Sequence, residues 1–169
     1  MSPVFKKLNL KDQKEIVVVG APASFEPEIA SLEGVAVKRS VGGELAFSLA
    51  FVTKQKEVDA LAKSVGKSAA GDAVVWFAYP KQSSKKYTCE FNRDNGWAEL
   101  GKAGFEPVRM VAIDEDWSAA RFRRVDFIKS LTRPAEYALS AGGKAKTAAA
   151  AKAAARTRAG AKPAPKKGR

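Results

Sequence analysis

The stretch Asp72–Lys81, DAVVWFAYPK, decides the fold, because a long apolar run ends abruptly there in a proline and a lysine. A run of apolar residues that does not alternate with polar ones is typical of a strand buried on both faces of a sheet. The loop that follows, residues 82–86, is basic and rich in hydroxyl groups. It is either a binding site or a turn that keeps the strand end soluble.

Further strands and helices alternate along the chain on both sides of this run. The β-branched residues before Gly20, and later apolar segments, predict the other strands, while apolar residues at helical spacing predict the helices. Ser24 and Thr53 are predicted helix caps, and Gly71-Asp72 is a predicted turn before the central strand. The predicted strands are 15–20, 35–38, 44–52, 73–80, 105–113 and 119–128, and the predicted helices are 25–32, 54–69 and 94–104.

Alternation of strands and helices predicts an α/β domain, a three-layer Rossmann-like sheet that is mostly parallel. The last two strands are separated only by Asp114-Glu115-Asp116, which favours a C-terminal antiparallel hairpin. Beyond Leu139 the chain contains no Val, Ile, Leu, Met or aromatic residue. We therefore expect a domain at 1–133 and a Lys/Ala-rich tail at 134–169 that is disordered when free.

Composition excludes several classes of chemistry. The chain has no histidine and a single cysteine, Cys89, so a Ser-His-Asp or Cys-His mechanism lacks its base and the usual zinc sites lack their ligands. An internal disulfide is excluded for the same reason. No apolar run is long enough to span a membrane, and the first residues lack the pattern of a secretory signal, so we expect a cytoplasmic protein.

The positive charge is concentrated at one end. The net charge is +12, yet the residues before Ser140 carry 21 basic and 18 acidic side chains. Such asymmetry indicates an arm that binds nucleic acid or another polyanion without sequence preference. The alternative is a flexible extension with incidental affinity. The cations of the tail are Lys144, Lys146, Lys152, Arg156, Arg158, Lys162, Lys166, Lys167 and Arg169.

Several motifs carry a resemblance to a known family. They are Gly-Ala-Pro after the first strand, Tyr-Pro-Lys followed by Ser-Ser-Lys, an Asn-Arg-Asp helix start, and IDEDWSAARF at residues 113–122. Together they resemble an uncharacterised family of small bacterial proteins, a domain of unknown function, over Leu8–Arg124. The resemblance implies a fold but no reaction.

The strand order is also similar to a pared-down S-adenosylmethionine methyltransferase domain. That class places a glycine-rich turn after the first strand and an acidic residue after the second. Here the first turn is Gly20-Ala21-Pro22-Ala23, and Pro22 removes an amide donor. The second strand ends in Lys38-Arg39-Ser40, with no acid before Glu44. The resemblance implies the fold. The two turns depart from the pattern with which this class binds S-adenosylmethionine.

Ligands of open α/β sheets bind beyond the carboxyl ends of the strands, which predicts where a cleft would lie. Lys81 would offer a positive charge there to an anion. Alternatively, this lysine only keeps the loop at the end of the strand soluble. The acidic run at 114–116 is either a hairpin turn or part of a cation site, and Trp117 either packs on the sheet or walls a pocket. The candidate cleft residues are Gly20, Ala21, Pro22, Thr53, Tyr79, Lys81, Ser83, Ser84, Asp114, Trp117 and Ser118.

Arginines mark two further places. Arg93 precedes a predicted helix, where Asn92 or Asp94 explains the sequence as a cap. On the last strand, alternation places Arg121 and Arg123 on one face with Trp117, and Phe122 with Arg124 on the other. The sequence favours a non-enzymatic binding module whose tail binds polyanions, and no cofactor is assigned. The alternative is a methyltransferase-like enzyme or nucleotide-binding protein that uses the strand-end cleft for a small anionic ligand.

Overall fold

The computed structural model describes residues 2–92, 95–129 and 138–147. Its strands form a single six-stranded sheet with helices on both faces. Short 3-10 turns lie at Ala23–Phe25 and Val125–Phe127. The strands are β1 (Glu15–Val19), β2 (Ala36–Lys38), β3 (Leu45–Phe51), β4 (Ala69–Pro80), β5 (Phe105–Ala112) and β6 (Trp117–Arg124), and the helices are α1 (Pro3–Lys7), α2 (Glu26–Ala30), α3 (Gln55–Ser68) and α4 (Ala98–Lys102).

The sheet is mostly parallel and has the order β2-β1-β3-β4-β6-β5. Strands β1 to β4 are paired in parallel, whereas β6 is antiparallel to both of its neighbours, β4 and β5. Strand β6 alone therefore runs against the other five. The predicted Rossmann-like α/β fold and its C-terminal antiparallel hairpin are confirmed.

Strand β4 lies at the centre and is buried on both faces. Val75 and Phe77 join an apolar cluster with α3 and α4, while Trp76 joins the cluster on the opposite face with α1 and α2. The indole of Trp76 is 0% exposed, and its Nε1 donates a 2.7 Å hydrogen bond to the carbonyl of Leu8. Each such side chain contributes roughly 1.5–3 kcal/mol by burial, so this strand is the core of the domain.

The predicted bounds of β4, β6 and α4 and the predicted Ser24 cap are wrong, each for a physical reason. Strand β4 begins at Ala69, because Gly71 takes a positive φ of 53° within the strand and does not end it. Strand β6 begins at Trp117, where its pairing with Pro80 of β4 starts, and ends at Arg124. Helix α4 is only five residues long, and Ser24 lies inside a 3-10 turn instead of capping α2. Arg93 and Asp94 lie outside the described residues.

Part of the predicted tail is packed on the domain. Residues 141–147 are helical, and Ser140 and Thr147 are only 2% and 7% exposed. The buried carboxylate of Glu106 accepts hydrogen bonds from the amides of Leu139, at 2.8 Å, and Ser140, at 2.7 Å, and from the Ser140 hydroxyl. These polar contacts, together with the packing of Leu139 on the core, anchor the segment, which departs from the expectation that everything beyond Leu139 stays apart from the core.

The two tail cations within this segment have different surroundings. Lys144 is exposed. The ammonium of Lys146 donates to the carbonyls of Val125 and Ile128, so it is engaged within the fold instead of standing free for a polyanion. The predicted boundary at 133/134 and the other predicted cations lie outside the described residues: Lys152, Arg156, Arg158, Lys162, Lys166, Lys167 and Arg169.

Candidate functional site

A cleft of about 1010 Å³ opens beyond the carboxyl end of β4, where this strand pairs with the start of β6. Its size is at the upper end of the range of small-molecule sites. Five of the eleven candidate cleft residues named from the sequence line it, and the other six do not. Those that do are Tyr79, Lys81, Ser83, Ser84 and Ser118.

The loop after β4 is fixed to the hairpin turn between β5 and β6. The amide of Lys81 donates to the carbonyl of Asp116, and the hydroxyl of Ser84 donates to the Asp116 carboxylate, both at 2.8 Å. The same hydroxyl accepts from the amides of Lys86 and Tyr87. Ser84 therefore shapes the loop, which leaves Ser83 as the exposed hydroxyl of the pair.

The outer wall of the cleft is formed by residues 87–92 and by Asn95, which sequence reasoning missed. Glu90 holds it: its amide donates to the carbonyl of Thr53 at 3.0 Å, and its carboxylate accepts from the amide of Gln55 at 2.8 Å. The side chain of Gln55 also donates to the carbonyl of Gly96. The start of α3 thus positions a loop that is distant in sequence, and no local sequence signal reveals this contact.

Aromatic rings form the floor of the cleft. The ring of Tyr79, 6% exposed, lies 6.0 Å from that of Phe91 and 5.7 Å from that of Trp97, measured between centroids. Its hydroxyl approaches the sulfur of Met110 at 3.8 Å. Tyr79 and Phe91 line the cleft with largely buried rings tilted by 52° to each other, which gives this part of the cleft an apolar surface.

The charges of the cleft favour an anion at one end. Within the described part of the chain, no carboxylate pairs with the half-buried ammonium of Lys81. Glu90, the acidic residue in the lining, has its carboxylate hydrogen-bonded to the Gln55 amide. Burial raises the pKa of the Cys89 thiol, which also lines the cleft. This cysteine is therefore protonated at neutral pH and is a poor nucleophile.

The turn after β1 does not line this cleft. Gly20 has a positive φ of 68°, and a Cβ there would lie 2.8 Å from the carbonyl oxygen of Phe51. Packing against β3 therefore accounts for this glycine, and Ala21 and Pro22 follow it outside the lining. Thr53 also lies outside, and it is not the helix cap: Lys54 is, and both Thr53 donors reach the carboxylate of Glu57.

The remaining candidates at the hairpin are structural. Asp114 Oδ1 accepts from the amides of Asp116 and Trp117 at 2.8 and 2.9 Å, so the predicted hairpin turn is confirmed. Trp117 is 3% exposed and packs edge-on against Phe51 at 5.1 Å, on the face opposite Ser118. Among the described residues, no group of His, Cys, Asp or Glu is placed to hold a metal ion.

The ends of β1 and β2 do not fit S-adenosylmethionine as its usual pattern requires. The position of the expected carboxylate is occupied by cations that are paired within the fold. Lys38 lies 2.8 Å from Glu15, and the guanidinium of Arg39 makes two hydrogen bonds to Glu26 at 2.9 and 2.8 Å. Among the described residues, the carboxylates near this turn, Glu15 and Glu26, are thus paired with cations instead of standing free for ribose hydroxyls.

Comparisons with known proteins find only distant similarity to solved structures. The sequence matches no protein-family model and no curated protein. A SAM-dependent methyltransferase from Aquifex aeolicus is 15% identical with a TM-score of 0.49, over 71% of this chain and 87% of that one. The N-methyltransferase NodS from Bradyrhizobium japonicum WM9 is 11% identical with a TM-score of 0.46, over 70% of this chain and 91% of that one.

The pyocyanin biosynthetic protein PhzM gives 13% identity and a TM-score of 0.46 over 72% of this chain, which spans 54% of the length of PhzM. At these identities and TM-scores the likeness assigns this chain neither a family nor an activity. Within the described residues, no helix is long and apolar enough to cross a bilayer.

Proposed function

We propose that the protein binds a small anionic ligand of the nucleotide class in the cleft beyond β4 and β6. The observation that carries the proposal is the meeting of Lys81, Ser83 and Ser118 with the aromatic floor of Tyr79 in one cleft of about 1010 Å³. The ammonium and hydroxyls suit a phosphate, and the aromatic floor suits a base. The turn at Gly20, which follows β1, does not line this cleft.

The test is a comparison of Lys81→Ala with Lys85→Ala. Both lysines belong to the same loop, but Lys85 is exposed and does not line the cleft. Isothermal calorimetry with AMP, ATP and inorganic phosphate would measure affinity. A hydrogen bond to a charged group contributes about 1.5–3 kcal/mol, so Lys81→Ala should weaken binding by roughly 10- to 100-fold. Lys85→Ala should change it by less than about twofold.

If none of the three ligands binds the wild type, or if both variants weaken binding equally, the proposal is wrong. S-adenosylmethionine and its demethylated product belong in the same experiment. The reversed strand β6 beside a parallel sheet supports a methyltransferase-like enzyme as the second candidate. Binding of these two compounds with unchanged affinity in Lys81→Ala would favour that candidate.

We also propose that the cationic tail associates with nucleic acid or another polyanion. From Ser140 onward the sequence holds nine Lys and Arg residues and no acidic residue, which supports contact with phosphates but no base readout. A full-length variant with glutamine at the seven cations from Lys152 to Arg169 tests this. For duplex DNA the slope of log affinity against log salt should fall by up to about 6. An unchanged slope would exclude the tail as the binder.

A further inference from the structure

A row of arginines lies on the face of the sheet that carries Trp76. Arg121 on β6 is directly opposite Trp76 on one side and Arg109 on the other, and Arg123 lies two residues further along β6. Neighbouring strands are about 4.8 Å apart, and residues two apart on a strand are about 6.6 Å apart. The cleft residues Tyr79 and Ser118 belong to the opposite face, so this surface is a separate one.

The row holds more positive charge than its neighbours neutralise. Asp72 accepts two hydrogen bonds from Arg123, at 2.7 and 2.6 Å. Glu106, the register partner of Arg123, is hydrogen-bonded to the amides of Leu139 and Ser140. Asp72 is also the carboxylate whose charge acts on Arg121, and it is already hydrogen-bonded to Arg123.

Neither Arg109 nor Arg121 makes an ion pair or hydrogen bond in the part of the chain that is described. The Nε of Arg121 is buried without a partner, and burial, followed by the charge of Arg123, lowers the pKa of its guanidinium. Like charges directly opposite each other destabilise an antiparallel pair. The folded chain thus maintains two uncompensated arginines against its own stability, which is the behaviour expected of a binding surface.

The geometry points to a polymer of phosphates instead of one small anion. Arg109, Arg121 and Arg123 share one face of the sheet at strand spacing, which places them within reach of successive phosphates, and a phosphate can accept two bonds from an arginine. The neighbouring indole of Trp76 is fully buried, so this row has no exposed aromatic ring for base stacking. Residues 138–140 are anchored on Glu106, beside Arg123, so the Lys-rich sequence follows directly from a segment fixed next to the row.

We propose that Arg109, Arg121 and Arg123 form a surface that binds the phosphodiester backbone of a nucleic acid without reading its bases. The surface belongs to the folded domain and acts independently of both the cleft and the tail cations. Binding should be insensitive to base sequence and should weaken steeply with salt.

The test uses the full-length chain and two double variants that each remove two positive charges. Arg109→Gln/Arg121→Gln removes the uncompensated pair, and the control Lys38→Gln/Arg39→Gln removes two paired cations near the opposite edge of the sheet. Fluorescence anisotropy with one short oligonucleotide, as a single strand and as a duplex, is measured between about 50 and 200 mM salt. Repeating it on the tail variant with seven glutamines separates the two surfaces.

The arginine double variant should lower the slope of log affinity against log salt by about 1.4 for the single strand and 1.8 for the duplex. The control should lower it by less than half as much, and the difference should persist in the tail variant. The single variant Arg109→Gln, at an exposed position, should show about half the effect with unchanged folding by circular dichroism.

Equal slopes for the two double variants would overturn the proposal, as would a difference that disappears with the tail charges. If inorganic phosphate raises the melting temperature of the wild type but not of the arginine variant, while nucleic-acid affinity is unchanged, the row is a small-anion site and the proposal is wrong.

Discussion

Replacing Glu106 by alanine should detach the 138–147 segment and destabilise the domain. The carboxylate is 2% exposed and accepts from two backbone amides and one hydroxyl. A hydrogen bond to a charged acceptor contributes about 1.5–3 kcal/mol, so loss of the two amide bonds alone costs about 3 kcal/mol. Relief of the desolvated charge offsets part of this, and we expect a net loss of about 2–3 kcal/mol.

Gly143 supplies an internal check on this reasoning. A Cβ at Gly143 would overlap Glu106 Oε1, so Gly143→Ala should cost about 1–3 kcal/mol in the wild type. In the Glu106→Ala background the overlap is gone and the same change should cost much less. The two substitutions should therefore be non-additive by about 1 kcal/mol or more.

Urea unfolding followed by tryptophan fluorescence measures these free energies, and limited proteolysis reports release of the segment. The control is Glu115→Ala, at an exposed position of the hairpin turn, which should change stability by less than about 0.5 kcal/mol. The reasoning is refuted if Glu106→Ala and Glu115→Ala are equally stable, or if Gly143→Ala is additive with Glu106→Ala.

Three further predictions concern other parts of the domain. Gly20→Ala should lower the free energy of unfolding in urea by about 2 kcal/mol or more, and by more than Gly34→Ala does. Both glycines have a positive φ, but only a Cβ at Gly20 would meet a neighbouring carbonyl. Equal losses would contradict this. The hydrogen bond from Arg123 lowers the pKa of Asp72, so this pair stabilises the fold above the unfolded pKa, roughly 3.9, and the contribution is lost as pH falls through the lower folded pKa. The stability of Asp72→Asn should therefore depend less on pH below about 4 than that of the wild type, and parallel curves would speak against the pair. Burial raises the pKa of Cys89, so its alkylation should be slower than that of a free thiol. Because Cys89 lines the cleft, alkylation should slow further when AMP is bound there. A rate that bound AMP leaves unchanged would place the ligand elsewhere.

The central strand could be predicted from the sequence because the physics is local. The residues Val74 to Tyr79 are apolar without interruption, and the structure buries them alternately in the two clusters on either face. Parallel strands then bring Tyr79 and Lys81 to the ligand-binding edge of the sheet. The start of the same strand was missed because Gly71-Asp72 has the composition of a turn, whereas glycine at a positive φ is tolerated inside this strand.

What the sequence did not reveal depends on pairs of residues far apart in the chain. The outer wall of the cleft is held by a hydrogen bond from the Gln55 amide, at the start of α3, to the carboxylate of Glu90. The 138–147 segment is held by the carboxylate of Glu106. Neither glutamate has a local sequence pattern that reveals its contact. After Leu139 the segment buries only small side chains, Ser140 and Thr147 among them, so a hydrophobicity argument assigns it to a tail. The available signal was the pair Gly142-Gly143 after a serine, which suits a capped helix in close contact with a neighbour.

The most direct test of the proposed function is an amide NMR titration of the full-length protein with AMP. Binding in the cleft beyond β4 predicts the largest chemical-shift changes at Lys81, Ser83 and Ser118, and predicts that they vanish in Lys81→Ala. Changes concentrated at Gly20 and Ala21, or none at the cleft, would contradict the account.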